Sequence, residues 1–198
     1  AAWAAWHAEL DCWRDMGRTA TLWWRDDDAV EPTPALERLL AVQEAAAVPL
    51  CLAVVPRGTG AELAARIARS GAGQASRICV AAHGLAHVNH APPSEKKAEF
   101  GPHRPAEVMA GEIAAGWDII RKLFGDHAVP IFVPPWNRMA PELTGHIAAA
   151  GFAGVSALAS GQLPPGVTEV TVRDVHVDII DWRAGRRFVG EAVALGAL

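Results

Sequence analysis

The run VPLCLAVVP at 48–56 is apolar at nearly every position. A strand with one wet face alternates apolar and polar residues, whereas one that is apolar throughout is covered on both faces, as strands of a parallel sheet are. Parallel neighbours are joined by crossovers of about a dozen residues or more, usually helices. This single run therefore predicts helices on both sides of it. The flanks supply them: TPALERLLAVQEAAA at 33–47 has Pro34 pre-set for a first helical turn, and 59–70 reads as a second helix closed by Gly71.

The alternation continues along the chain. TATLWWR (19–25) reads as a strand that stops at three aspartates, and RICVAAH (77–83) and VPIFVP (129–134) as further strands. Between the last two, a helix is expected from Pro105 to Gly125, with Arg121 and Lys122 in its final turn where cations suit the dipole. Another helix is expected over 141–151, then strands at FAGVSAL (152–158), VTEVTV (167–172) and VHVDIID (175–181), and a short helix near 189–197. Ahead of all these, Trp3, Trp6, Leu10 and Trp13 recur at helical spacing up to Gly17, a stripe expected to pack into the core. Strands alternating with helices give an α/β fold built on parallel pairing.

At 198 residues, with no low-complexity linker and no fixed-period repeat, the expectation is one domain over 1–198. Charged residues are 20% and the net charge is −4, which argues against nucleic acid as partner. No apolar run approaches the roughly 18–20 residues of a membrane span, and no basic-then-apolar leader opens the chain. A cytoplasmic protein without a membrane span is expected. Cys12, Cys51 and Cys79 are scattered in apolar surroundings and read as buried free thiols. A serine-nucleophile elbow, a phosphate-binding loop and a dinucleotide-binding glycine pattern are all absent from the sequence.

The chemistry collects where the strands end. After the first strand stand Asp26, Asp27 and Asp28; after the third come His83, His87 and His90; after VPIFVP comes PWNR, and after VHVDII comes Asp181-Trp182. In α/β barrels and related folds those carboxyl ends form the ligand site. His83 and His87 are spaced so that a strand end turning into a helical turn can aim both imidazoles at one point. Two imidazoles and a carboxylate are the ligand set of catalytic Zn²⁺ and related divalent ions. Three adjacent carboxylates repel one another unless a cation neutralises them, and only Arg25 stands nearby in sequence. An Asx turn before Pro32 would account for one aspartate, not three.

These residues resemble the polysaccharide deacetylases of the NodB homology, carbohydrate esterase family 4. That family's motifs are a strand followed by Asp-Asp, then H-[ST]-x-x-H, R-x-P-[YW] and an Asp-Trp element; the counterparts here are RDDDA (25–29), HGLAH (83–87), VPPWNR (133–138) and DIIDW (178–182). The resemblance implies a distorted (β/α) barrel of about seven parallel strands, NodB-like, and metal-dependent hydrolysis of an N-acetyl or similar amide on a carbohydrate or other N-acylated substrate. It implies Asp27 as general base and Asp28, His83 and His87 as ligands of a divalent ion, Zn²⁺ first, with Co²⁺, Ni²⁺ or Mn²⁺ as others. A register shifted by one residue would give the aspartate roles to Asp26 and Asp27; the first is preferred because Asp28 stands farther out at the mouth. Pro135, Trp136, Asn137, Arg138, Asp181 and Trp182 are the implied substrate-binding residues, Trp136 as a groove wall.

Three departures stand out. Val133 occupies the place of the third motif's arginine, which in the family pairs with the catalytic aspartate, and Arg25 or Arg138 is the expected substitute. Gly84 replaces the second motif's Ser/Thr, a change expected to be easily tolerated. The family's Leu-x-His, whose histidine is the general acid, has no counterpart before the terminal EAVALGAL. Either the C-terminal end is missing from this chain or His90 or His176 serves; a deacetylase-like carbohydrate binder with impaired catalysis is the alternative. SEKKAEFG at 94–101 reads as a solvated charged loop, with a lid carrying Lys96 and Lys97 as the less favoured reading.

Overall fold

The computed structural model describes residues 2–70, 77–158 and 170–198. In chain order its elements are α1 (Ala2–Asp15), β1 (Trp24–Ala29), α2 (Pro34–Ala46), β2 (Leu50–Val54), α3 (Ala61–Ser70) and β3 (Ile78–His83). There follow α4 (Ala106–Phe124), β4 (Ala128–Val133), α5 (Thr144–Ala149), β5 (Gly154–Val155), β6 (Thr171–Val172), β7 (Ile180–Asp181), β8 (Arg187–Phe188) and α6 (Glu191–Ala197). The described residues fall into two units: 23–157 with 170–174, and 2–22 with 158 and 175–198.

The larger unit holds one parallel sheet in chain order, β1-β2-β3-β4-β5-β6, so each strand pairs with the next. Its helices begin where the sequence sets them. Thr33 caps α2, its hydroxyl accepting from Leu36 N–H at 3.1 Å, and Pro34 fills the first turn, where a missing N–H costs nothing. The stripe Leu36, Leu40 and Gln43 faces inward. In α4 the buried positions Met109, Ile113, Gly116, Ile120 and Phe124 follow helical spacing. Gly116 is small because a Cβ there would stand 2.8 Å from the Gly84 carbonyl.

The strands' two faces differ. Leu50, Leu52, Val54, Val80, Ala82 and Phe132 join the helices' apolar stripes in the main core. On the opposite face Cys51, Ala53, Ala81 and Val133 form a second, smaller cluster. Cys51 and Cys79 are direct partners in the β2–β3 register. The hydrogen bond that Cys51 donates to Cys79, together with burial, pushes the Cys51 thiol strongly upward, so it stays protonated.

Several expectations change. β1 does not stop at the aspartates but runs through them, because β2 pairs with it as far as Ala29. The 141–151 helix starts as a 3₁₀ turn, Pro141–Leu143, before α5. The parallel sheet has six strands among the described residues; of the run 175–181, Ile180–Asp181 pairs antiparallel with β8 and Val175 makes an isolated parallel bridge with Leu158. Gly71 and the start of VTEVTV lie outside the described residues.

In the smaller unit the expected burial of the α1 stripe is not found. No residue of α1 is buried, Trp3 is 48% exposed, and Cys12 is exposed rather than a buried thiol. Segments so few and short cannot enclose a core of their own. Trp3 Nε1–H instead donates to Glu191 of α6 at 2.9 Å, and Trp13 Nε1–H to Glu9 at 2.9 Å. No helix among the described residues is long and apolar enough to cross a membrane.

Candidate metal centre

Strand pleating decides where each aspartate of β1 goes. Arg25 and Asp27, two apart, share the sheet face that carries Cys51 and Ala53, their partners on β2. Between Asp27 and Ala29 the register slips, and Asp28 has φ +72°. Such a bulge re-aims one side chain. The bulged residue is Asp28, and it swings toward the end of β3.

There it meets both histidines: His83 Nε2 and His87 Nε2 each lie 3.1 Å from Asp28 Oδ1. His83 is the last residue of β3 and is buried, while His87 sits after a tight turn with φ +55°. His83 Nδ1 lies 3.0 Å from the Val133 carbonyl, which can only accept, so Nδ1 carries the proton. In a neutral ring Nε2 then offers a lone pair to a carboxylate oxygen, and two acceptors face each other. Only a proton or a cation reconciles them. Hydrogen bonds from His83 and His87 hold the Asp28 carboxyl well below its usual range, and Asp28 raises His87.

The set fits a divalent ion. One ligand atom from each of Asp28, His83 and His87 lies within 4.8 Å of the others. Ligands about 2.1 Å from one tetrahedral ion stand about 3.4 Å apart, near the 3.1 Å from each histidine to Asp28. The carbonyl behind His83 is the kind of partner that fixes a metal-binding tautomer.

Asp27 is held differently. Arg25 Nε donates to Asp27 Oδ1 at 2.9 Å and Nη2 to Oδ2 at 3.1 Å, a two-pronged grip. The guanidinium, 4% exposed, also donates to Ser156 Oγ at 2.7 Å and to Asn137 Oδ1 at 2.9 Å. Between the two arginines expected to replace the missing one, geometry selects Arg25, since Arg138 donates to the Lys97 carbonyl at 3.1 Å. Asp26, on the other face, has its carboxyl pushed up to about 6 by burial and by Asp27 and Asp28. It is not a member of the ligand cluster.

Trp136 lies against His87, ring centres 4.2 Å apart, with Lys97 Nζ 5.9 Å from its own ring centre on the other contact. Trp136 and Asn137 both have φ near +56°, an uncommon conformation that bulky residues keep only where their surroundings hold it. Pro135 is buried against Gly84. A cleft of about 510 Å³ opens beside Asp28 and His87, lined also by Val30, Val55, Arg57, Gly58, Ala86 and Val88. Asp181 and Trp182 belong to the smaller unit, where Asp181 accepts from Arg183 N–H and Ala184 N–H and Trp182 is 60% exposed.

Two participants escaped the sequence reading. Ser156 left a faint signal as the polar residue of GVSAL, and Glu99 left none, sitting beside Lys96 and Lys97 in what reads as solvent-facing chain. Yet Ala98, Glu99 and Phe100 are all buried. Glu99 accepts from Ala86 N–H at 2.8 Å and from Leu85 N–H at 3.3 Å, within the turn between the two histidines.

No family model and no curated protein sequence matches the chain. Solved structures do. IcaB from Ammonifex degensii superposes with TM-score 0.59 at 17% identity over 87% of this chain and 82% of its own. A de-N-acetylase from Aggregatibacter actinomycetemcomitans gives 0.55 at 12% identity, covering 83% and 75%. The Xyl-CE4 domain of a multidomain xylanase from the hindgut metagenome of Trinervitermes trinervoides gives 0.51 at 13% identity, covering 90% and 80%. The chain spans a smaller share of others, 61% of a family 4 carbohydrate esterase from Streptomyces lividans and 45% of a chain from Mycobacterium smegmatis. The fold of this chain is thus the α/β fold of the NodB-like polysaccharide deacetylases and family 4 carbohydrate esterases.

Proposed function

We propose that this chain is a metal-dependent hydrolase that removes N-acetyl or similar amide-linked acyl groups from a carbohydrate or related substrate. The observation that carries the reading is the convergence of Asp28, His83 and His87, brought from β1, the end of β3 and the turn after it onto one point. These three residues would hold the ion, Zn²⁺ before Co²⁺, Ni²⁺ or Mn²⁺. When bound, a divalent ion supplies Lewis-acid polarisation of the acyl carbonyl and acidifies water.

The remaining parts belong to the protein. Asp27 acts as general base, taking a proton from the attacking water. Arg25 occupies one lone pair on each Asp27 oxygen, which fixes the carboxylate plane and leaves other lone pairs for that proton. Asn137 and Ser156 hold Arg25 in turn, so Asn137 serves the base rather than the substrate. Trp136, braced by His87 and the Pro135 turn, offers a flat apolar face for a sugar ring. Arg138, tied to the Lys97 carbonyl, shapes the same rim.

The test is release of acetate from a panel of N-acetylated sugars by the chain loaded with Zn²⁺ or Co²⁺, alongside an Asp27→Asn variant. A general base contributes about 10²–10⁴-fold, so the variant should lose that much. Equal rates with and without the Asp27 carboxylate would refute the assignment.

A further inference from the structure

We propose that Glu99 is a positioning residue for the metal centre: its buried carboxylate sets the turn that carries His87 and accounts for the glycine at position 84. The inference rests on the metal reading above and concerns residues that reading leaves out. A carboxylate that is 1% exposed is costly unless its oxygens are bonded. Here both are, one to Ala86 N–H and one to Leu85 N–H. Those two amides lie inside the four-residue step from His83 to His87, so Glu99 decides how that step turns.

The glutamate is itself clamped on either side. Ala98 N–H donates to Asn89 Oδ1 at 3.0 Å, and the Ala98 carbonyl accepts from His90 N–H at 2.9 Å. Phe100 is fully buried, stacks edge-on against Phe132 with centres 5.4 Å apart, and accepts through its carbonyl from Ala140 N–H at 2.7 Å. Arg104, just ahead of α4, donates to the Glu99 carbonyl at 3.4 Å while gripping Glu112 with both terminal nitrogens. The carboxylate therefore has one place to go, beneath the turn.

Gly84 records the same fit from the other side. It has φ +62°, and a methyl there would run into the Glu99 carboxylate and stand 2.5 Å from Pro135 Cγ. Glycine at this position is thus not a tolerated substitution but a requirement. The space in which position 84 would carry a side chain is taken by a carboxylate arriving from fifteen residues downstream.

The test uses the metal-free full chain and Zn²⁺, with affinity measured by competition against a chromophoric chelator. Three proteins are compared: wild type, Glu99→Gln, and Ile67→Val, a trim of the α3 core that does not touch the turn. An amide at 99 can accept from one of the two N–H groups but presents a donor to the other. Removing a residue that orients metal ligands typically weakens affinity about 10–100-fold, and that loss is expected for Glu99→Gln but not for Ile67→Val. Affinity of Glu99→Gln within about twofold of wild type, or an equal loss in Ile67→Val, overturns the role. Hydrogen exchange on the metal-free wild type reads it without any substitution: the Leu85 and Ala86 amides should be protected, and free exchange at both also overturns it. Wild type that binds neither Zn²⁺ nor Co²⁺ overturns the metal reading, and this role falls with it; failure of Glu99 alone leaves wild-type binding intact.

Discussion

The two faces of the parallel sheet share one backbone and divide the work. One face presents Leu50, Leu52, Val54, Val80 and Phe132 to α2, α3 and α4, with Asp26 standing in register beside Leu52. The other presents small residues, Cys51, Ala53, Ala81 and Val133, and beside them the Arg25–Asp27–Ser156 network. Burial on the first face stabilises the fold by roughly 25 cal/mol per Å² of apolar surface removed from water. Small side chains on the second leave room for a buried ion pair and its hydrogen bonds. Because side chains alternate along a strand, neighbouring residues can serve opposite ends without compromise.

The comparison can be broken at either face. The largest effect is expected at the mouth: Asp28→Ala removes one of the three candidate metal ligands and should weaken Zn²⁺ binding by more than the roughly 10–100-fold typical of outer-shell changes. Calorimetric titration checks it; undiminished binding would mean the histidines work without the bulged aspartate. Next comes the helix-covered face, where Leu52→Ala, remote from the Glu99 clamp, should cost about 2–5 kcal/mol of stability in chemical denaturation. Its folded fraction should still bind Zn²⁺ as wild type does, and a parallel loss of affinity would show that the faces are not independent.

Arg25→Met sharpens the opposite side. It leaves the partly buried Asp27 carboxylate without its cation and Asn137 without its donor, and should cost about 1–3 kcal/mol. Acetate release should fall with it, whereas a stable, fully active variant would make the grip on Asp27 incidental.

The smallest effect lies with Asp26. Its folded-state carboxyl is raised from 3.8 to about 6, so its contribution is intact below about pH 4 and is lost as pH rises through 6. Above that pH a half-buried charge beside Asp27 and Asp28 opposes folding. Asp26→Asn should therefore stabilise the chelated protein by about 1–2 kcal/mol at pH 7.5, allowing for solvent screening, and by nothing near pH 4. Melting curves across that range decide it; stabilisation equal at both ends would contradict the cause given.

Much of this was legible in the chain itself. Strand and helix alternation was readable because VPLCLAVVP and its flanks obey two periods that differ, and the candidate site residues were readable because each lies where an apolar run breaks off into polar residues. The Trp3–Trp13 stripe misled for a related reason: periodicity shows that a helix has an apolar side, not that anything large enough covers it. VHVDIID reads as a strand by composition, and in the structure its end, Ile180–Asp181, pairs within a hairpin with β8.

What the sequence by itself determined is the class of fold and the residue types of the candidate site, both written locally in runs a few residues long. Only tertiary structure decided which aspartate meets the histidines, which arginine grips Asp27, and why position 84 is glycine. Those answers depend on a one-residue slip at Asp28, on Arg25 and Ser156 meeting across the sheet, and on Glu99 being carried inward by its neighbours. Each is a contact between segments distant along the chain, and such a contact exists only once the apolar face has packed and fixed the strands in register.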